Sequence, residues 1–327
     1  MSGEQWRPGA SLQTLRLRAR MLEEIRHFFR QRDVLEVDTP ALSRAALTSP
    51  VISSFQTCFT GPGAAGGSDA WLHTSPEFFM KRLLAAGLGA MYQIAHVFRD
   101  GELGPRHNPE FTLLEWYRPD FSLDQLIEET WQLVQRLLAG QPGLGSLQRI
   151  SYQELFLRFA GIDGLTEDGA RLRGVVLERV GEVPQGLAED DPDGWKDLIL
   201  TRLIEPQLKG VWCVSHYPAS QAALARLDPQ NPAVAERFEI YVDGLELANG
   251  FRELTDAAEQ RRRMQQENAA RQALGLAVMP LDNHFLQALE AGLPDCSGVA
   301  LGFDRLLMLA AGCNRLEEVL AFDWERA

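Results

Sequence analysis

Leu12, Leu15, Leu22, Ile25 and Phe29 recur at helical spacing behind Ser11, a good capping residue, so a helix with one buried stripe is predicted to run to about Arg32. Residues 34–37 then read as a strand, stopped at Asp38-Thr39-Pro40 because proline denies the ladder a donor. Short apolar runs over 51–72 surround GPGAAGGSD, where Gly61, Gly63 and Gly66 spell G-x-G-x-x-G. Strand-like residues 71–74 follow it instead of a helix, so it reads as a hairpin loop and not a dinucleotide fingerprint. Ser75-Pro76-Glu77 opens a helix with a capping hydroxyl, proline at the first helical position and an acid in the first turn; Gly87 closes it.

Residues 91–99 and 110–118 form two strand-like runs joined by the charged turn DGELGPRHN, an antiparallel pair. A helix is predicted over 123–138. The stretch at about 140–210 is helical but weaker and rich in Gly and Asp, like an insertion into a single domain. Strands follow at 211–216 and 237–242, the latter turned by Asp243-Gly244 into the polar string LELANGFRELTD. A helix is predicted over 256–274 and a last one from near Phe303, after GVALG. Helices mix with antiparallel strands without βαβ alternation, so the class is α+β.

Composition fits this picture. The 327 residues are 45% hydrophobic and 24% charged, ordinary for a soluble globular chain. The apolar candidate for a membrane span, 83–98, is broken by Gly87, Gly89, Gln93 and His96. Arg7, Arg16, Arg18 and Arg20 precede no apolar run, so no secretory signal is read, and a cytoplasmic protein is expected. Cys58, Cys213, Cys296 and Cys313 lie far apart and suggest reduced thiols; Cys213 with His216 lacks the second pair that zinc needs. The net charge of −13 disfavours broad nucleic-acid binding. Seven arginines up to Arg32 against Glu4, Glu23 and Glu24 leave a local +4, read as a solvated helix face.

The chemistry concentrates in three polar segments. In EFTLLEWYR, period-two alternation puts Phe111, Leu113, Glu115 and Tyr117 on one face, a span of about 20 Å that suits an extended ligand. Glu246, Asn249, Glu253 and Asp256 form the second; two carboxylates near one site call for a divalent cation or ammonium between them, and a solvated hairpin face explains them equally well. The third, GVALGFDRLLML, places Asp304 and Arg305 in the first turn of an apolar helix. The arginine there calls for an anionic or π-face partner, although a buried Asp-Arg pair also accounts for it.

FRDGELGPRHNPEFTLLEWY resembles motif 2 of class II aminoacyl-tRNA synthetases of the lysine type, GVALGFDR resembles motif 3, and the helix ending in VLEVDTPAL resembles motif 1, the dimerisation element, with its proline at Pro40. LELANGFREL is similar to the lysine-pocket strand. Lysyl-tRNA synthetases carry an N-terminal anticodon-binding barrel, whereas motif 1 begins here almost at once; with the −13 charge, transfer to tRNA is not expected. The chain resembles the stand-alone elongation factor P (R)-β-lysine ligases, which share TSPE, HNPEFT, ELANGF and PDCSGVALG, found here from Thr74, His107, Glu246 and Pro294.

The resemblance implies a class II synthetase-like antiparallel sheet flanked by helices, a homodimer, ATP with Mg2+, and transfer of activated (R)-β-lysine or lysine to elongation factor P. It implies Arg99 on the α-phosphate, Phe111 and Arg305 around the adenine, and Asn108, Glu246, Leu247 and Gly302 completing the nucleotide site, with His107 on the outer phosphates. Motif 2 usually reads F-R-x-E; here the acid is delayed, leaving Asp100, Gly101 or Glu102 to read the adenine. Glu246 and Glu253 would hold magnesium. Ser75, Pro76, Glu77, Tyr117 and Glu253 would form the amino-acid pocket, narrowed by Ala300 where synthetases have glycine. Arg99, Arg305 and Glu246 would carry catalysis. Two competing functions are a truncated lysyl-tRNA synthetase charging another acceptor, and a non-catalytic amino-acid-binding regulator; the latter typically lose the motif arginines that are intact here.

Overall fold

The computed structural model describes residues 6–64, 67–141, 144–181, 183, 187–188 and 190–327. Gly66 of the glycine motif and Glu4 lie outside them. In chain order the elements are α1 (Leu12–Arg30), β1 (Leu35–Glu36), β2 (Leu42–Ser43), β3 (Gln56–Phe59), β4 (Ser68–Leu72), α2 (Glu77–Ala85), β5 (Met91–Phe98) and β6 (Glu110–Pro119). Next come α3 (Leu123–Leu137), β7 (Leu147–Ser151), α4 (Tyr152–Phe159), α5 (Gly169–Arg179), α6 (Pro192–Ile199), β8 (Val211–Ser215), β9 (Arg237–Val242) and β10 (Leu245–Arg252). The last are α7 (Ala257–Ala273), α8 (Asn283–Gly292), β11 (Cys296–Gly302) and α9 (Phe303–Ala311). The chain divides into two compact units, Met1–Asp120 with Arg136–Ala139 and Thr255–Ala327, and Phe121–Gln135 with Gly140–Leu254.

In the first unit β6 is central, antiparallel to β5 on one side and β11 on the other, while β1 runs parallel to β5. Ser11 caps α1 as the pattern predicts, its side chain accepting from the Thr14 N–H. Met21, Ile25, Phe28 and Phe29 bury one stripe of that helix. Phe29 stacks on Tyr92 at 4.3 Å and meets Trp116 edge-on at 5.4 Å, so α1 covers one face of β5 and β6. α2 and α8 pack around Tyr117 at one end of the other face, with Phe78 stacked on Phe285 at 4.6 Å. β2, β4 and β3 form a small antiparallel sheet.

The second unit pairs β10 with β9 and β9 with β8 antiparallel, and β8 with β7 parallel. Its core is Tyr152, Phe156, Trp195, Ile199, Trp212 and their neighbours, packed by α4, α5 and α6. Asp243 and Gly244 both have positive φ, 49° and 75°, the backbone of the two-residue turn expected there. Both units combine mixed strand pairing with flanking helices, and the fold is α+β.

Several local expectations change. Leu12 is 69% exposed, so the α1 stripe starts one turn later than the spacing suggests. Pro76 occupies the N-cap of α2 rather than its first turn, and Ser75 takes the Glu77 N–H at 3.0 Å. The arginines of α1 are not all solvated: Arg18 turns inward to pair with Asp304 and donates to Thr112 Oγ1 at 2.6 Å. Asp304 also accepts the Thr112 N–H at 2.7 Å, so the partner of this buried acid is Arg18 and not its neighbour Arg305. Helix α8 and strand β7 go unmarked in the pattern, although Phe285, Leu286 and Leu289 keep helical spacing behind Asp282, which caps α8. No helix of the described residues is long and apolar enough to cross a membrane.

Candidate active site

Register decides which side chains of the first unit share a face. Across β6, Tyr117 opposes Met91 and Gly298, Glu115 opposes Gln93 and Ala300, and Leu113 opposes Ala95 and Gly302. Directly opposed residues point the same way, so Phe111, Leu113, Glu115 and Tyr117 rise from the face that α1 does not cover. Along β11 that face carries Cys296, Gly298, Ala300 and Gly302. The small residues leave room beside the long side chains of β6, and the methyl of Ala300 stands directly across from Glu115.

Glu115 is 2% exposed. Ser75 Oγ donates to one of its oxygens and the Tyr117 hydroxyl to the other, each at 2.6 Å. Burial, reinforced by the negative charge of Glu77, pushes its carboxyl up to about 7, against the opposing pull of the two hydroxyls and Lys81. Glu77 is held in turn by Lys81, one helical turn along α2, at 2.6 Å. Lys81 is fully buried, 5.9 Å from the centroid of the Phe285 ring. Two carboxylates and one fixed ammonium therefore meet at the start of α2, a constellation that a further cation completes. The sequence places Glu115 on the ligand-length face of β6 without giving it a role of its own, and it gives Lys81 no mark beyond a lysine among apolar helix positions.

The connection between β5 and β6 is a hairpin, closed at its base by the Arg99 N–H on the Pro109 carbonyl at 2.9 Å and at its tip by reciprocal bonds between Gly104 and His107. Asp100 is tied to Ser53 through its backbone, and Gly101 turns the chain at φ 84°. The Arg99 guanidinium stands 5.0 Å from the Phe111 ring centroid and 3.4 Å from Glu102. Arg305, on the first turn of α9, puts Nη2 2.8 Å from His107 Nε2. A guanidinium only donates, so Nε2 is the acceptor; burial and then the field of Arg305 hold His107 below the usual histidine range. Asn108 is buried, its amide donating to the Glu110 carbonyl at 2.7 Å and its oxygen accepting from the Trp324 N–H at 3.0 Å. The first unit thus gathers Arg99, Glu102, His107, Phe111 and Arg305 into one polar group, and Ser75, Pro76, Glu77, Glu115 and Tyr117 into another.

In the second unit Glu246 and Glu253 are an odd number of residues apart, which in an unbroken strand sends them to opposite faces. β10 breaks that rule. Glu246 opposes Tyr241 and Asn249 opposes Glu239, with the register shifting between Glu246 and Ala248, so Leu247 is an extra residue. Tyr241 and Glu239 share a face of β9; hence Glu246, Asn249 and Phe251 share the matching face of β10, and Glu253, bridged to Ala225, continues the alternation. Beside them on that face lies a buried network. Arg237 donates to Glu239 Oε1 at 2.5 Å and to Asn249 Oδ1 at 3.3 Å, and Tyr217 donates to Glu239 Oε2 at 2.6 Å.

Among the described residues no group of three or more His, Cys, Asp or Glu side chains could hold a metal by themselves. A pair of carboxylates on one face, offering only hard oxygen donors, fits a magnesium ion whose other ligands are phosphate oxygens and water.

Comparison with known proteins puts these features in a family. The class II tRNA synthetases of the D, K and N group match the chain over residues 5–326. An elongation factor P–(R)-β-lysine ligase of Erwinia tasmaniensis is 49% identical over 98% of both chains. One of Pectobacterium atrosepticum is 48% identical over 98% of both, and one of Pasteurella multocida 46% over 99%. At this coverage and identity, the chain belongs to the class II tRNA synthetase family of the D, K and N group.

Proposed function

We propose that this protein activates (R)-β-lysine, or lysine, with ATP and transfers it to a lysine side chain of elongation factor P. Two steps suffice, and neither needs a nucleophile from the enzyme. The amino-acid carboxylate attacks the α-phosphorus of ATP, forming the aminoacyl-adenylate and releasing pyrophosphate; an amine of the acceptor then attacks the acyl carbon and AMP leaves. Such chemistry rests on placement and on charge stabilisation.

Arg99 has the charge and the strand-end position to hold the α-phosphate, and Phe111 with Arg305 offers an aromatic face and a guanidinium to the adenine. Backbone at Asp100 and Gly101, or the side chain of Glu102, reads its amine. His107, kept neutral, donates to the outer phosphates; Asn108 and Gly302 shape the nucleotide site, and the family resemblance adds Glu246 and the backbone at Leu247. Glu246 and Glu253 would hold magnesium, which when bound neutralises charge on the phosphate oxygens.

The observation that carries the reading is Glu115, a carboxylate 2% exposed, fixed beside the charge of Glu77 by hydrogen bonds from Ser75 and Tyr117. Tyr117 and Glu77 face the ammonium groups of the substrate, with Ser75 and Pro76 lining the pocket, and the family resemblance adds Glu253. The β-isomer carries one amine displaced by about 1.5 Å, a shift that the Ala300 methyl helps select. The motif 1 resemblance supports a homodimer, the net charge of −13 argues against tRNA as acceptor, and the soluble composition suits the cytoplasm.

Intact-mass measurement of elongation factor P, incubated with this protein, ATP and either lysine isomer, tests the reading. One added lysyl mass, favoured by the β-isomer, is the expected result; unmodified factor with both isomers refutes it. A Glu253→Gln change should cripple lysine-dependent pyrophosphate exchange, and near-normal exchange would remove Glu253 from the pocket.

A further inference from the structure

The hairpin between Arg99 and Pro109 carries most of the proposed nucleotide contacts, yet it is a turn of charged and small residues with little core of its own. Besides the Asp100 tie to Ser53 and the Arg305 contact with His107, its support comes from the segment after α9. The Leu316 N–H donates to the Pro105 carbonyl at 2.8 Å, and the Trp324 N–H donates to Asn108 Oδ1 at 3.0 Å, so this segment grips one side of the hairpin at two points.

The segment is itself fixed. Leu316 and Val319 are buried, 3% and 0% exposed. The N–H groups of Gly9 and Ala10 bond the carbonyls of Ala321 and Leu320, both at 2.9 Å. The approach is close enough that a Cβ on Gly9 would stand 2.6 Å from the Glu317 carbonyl oxygen. Asn108 is spent on this connection: its oxygen faces Trp324 and its amide the Glu110 carbonyl, so the side chain welds the foot of the hairpin to β6 and to the segment at once.

We propose that residues 316–324 are a brace that holds the hairpin in its ATP-binding shape, with the bond from the Trp324 N–H to Asn108 as its closing contact. The inference rests on the functional reading above and extends it to residues 316–324, outside the site. Trp324 and Asn108 act on ATP through the position of Arg99, Glu102 and His107, and the brace has no bearing on the amine pocket.

A main-chain donor can be removed cleanly here. The Arg326 N–H bonds the Asp323 carbonyl at 3.0 Å, so Trp324 holds the second position of a turn, where proline is favoured; its side chain is 57% exposed and contributes little packing. Trp324→Pro deletes the N–H, while Trp324→Ala keeps it. With Trp324→Pro, KM for ATP in lysine-dependent pyrophosphate exchange should rise roughly fivefold, the worth of one hydrogen bond, with KM for lysine unchanged. Amide hydrogen exchange over 101–109 should speed up in the same variant. Trp324→Ala should match the parent in all three measurements. Combining Trp324→Pro with Asn108→Ala should raise KM for ATP no further than Asn108→Ala alone, because Asn108→Ala already removes the bond that Trp324→Pro deletes.

The proposal is overturned if Trp324→Pro leaves either hairpin exchange or KM for ATP as in Trp324→Ala, or if KM for lysine rises in parallel. If the parent protein shows no lysine-dependent exchange, it is the functional reading that fails, and the hydrogen-exchange comparison still decides whether the brace holds the hairpin.

Discussion

Glu115 shows how much a single buried carboxylate can set. Its acid is raised to about 7, so below that pH it is neutral and above it charged. The raised value favours the protonated form in the folded protein, and an incoming ammonium favours the opposite form, so amine binding has to expel a proton below about 7. KM for lysine should therefore rise as pH falls from about 8 to 6, approaching tenfold per unit in the acid limb, and Glu115→Gln should flatten the profile. A KM that is constant across this range would take Glu115 out of amine recognition. Lys81 is the companion case. Its buried bond to Glu77 resists removal of one partner, so Lys81→Met should cost about 3 kcal/mol in urea unfolding and leave the two carboxylates to repel each other.

Elements determine whether such residues meet. The extra residue in β10 converts an odd spacing into a shared face for Glu246 and Glu253. Deleting Leu247 restores the regular ladder and turns one carboxylate away; pyrophosphate exchange should fall on the order of 100-fold while far-ultraviolet circular dichroism keeps its strand and helix content. Retained exchange would show that the bulge does not align the pair. At the β9–β10 turn, a side chain on Gly244 would meet the Glu205 carbonyl oxygen at 2.2 Å, and φ is 75°. Gly244→Ala should lower the melting temperature by several degrees, about 1–3 kcal/mol, by straining both the turn and the adjoining chain. The Asp-Gly dipeptide made this turn readable. The bulge was not, because nothing local distinguishes Leu247 from a paired residue; the register of β9 creates it.

At the scale of the molecule, the sparse cysteines give a further check. Cys58 is exposed, while Cys213 is buried and its thiol is pushed up to about 12 by burial. Iodoacetamide at neutral pH should label Cys58 within minutes and reach Cys213 only in denaturant; rapid labelling of Cys213 in the folded protein would show that the β8 core opens.

Much of the architecture could be read from the chain alone, because it follows from interactions a few residues apart. The stripe of α1, the cap at Ser11, the Gly87 stop, the β5–β6 alternation and the Asp243-Gly244 turn depend on helical and strand periods that the amino-acid order carries directly. The family resemblance followed from the same local strings. Partnerships between distant residues did not: Asp304 chose Arg18 over its neighbour Arg305, Glu115 found Ser75, and Asn108 met the Trp324 backbone. Those choices depend on which strands lie side by side and in what register, and register is a property of packed sheets. Local order thus determined the elements and their chemical content, and tertiary packing decided which charges face each other, because burial and distance set the energy of every such pair.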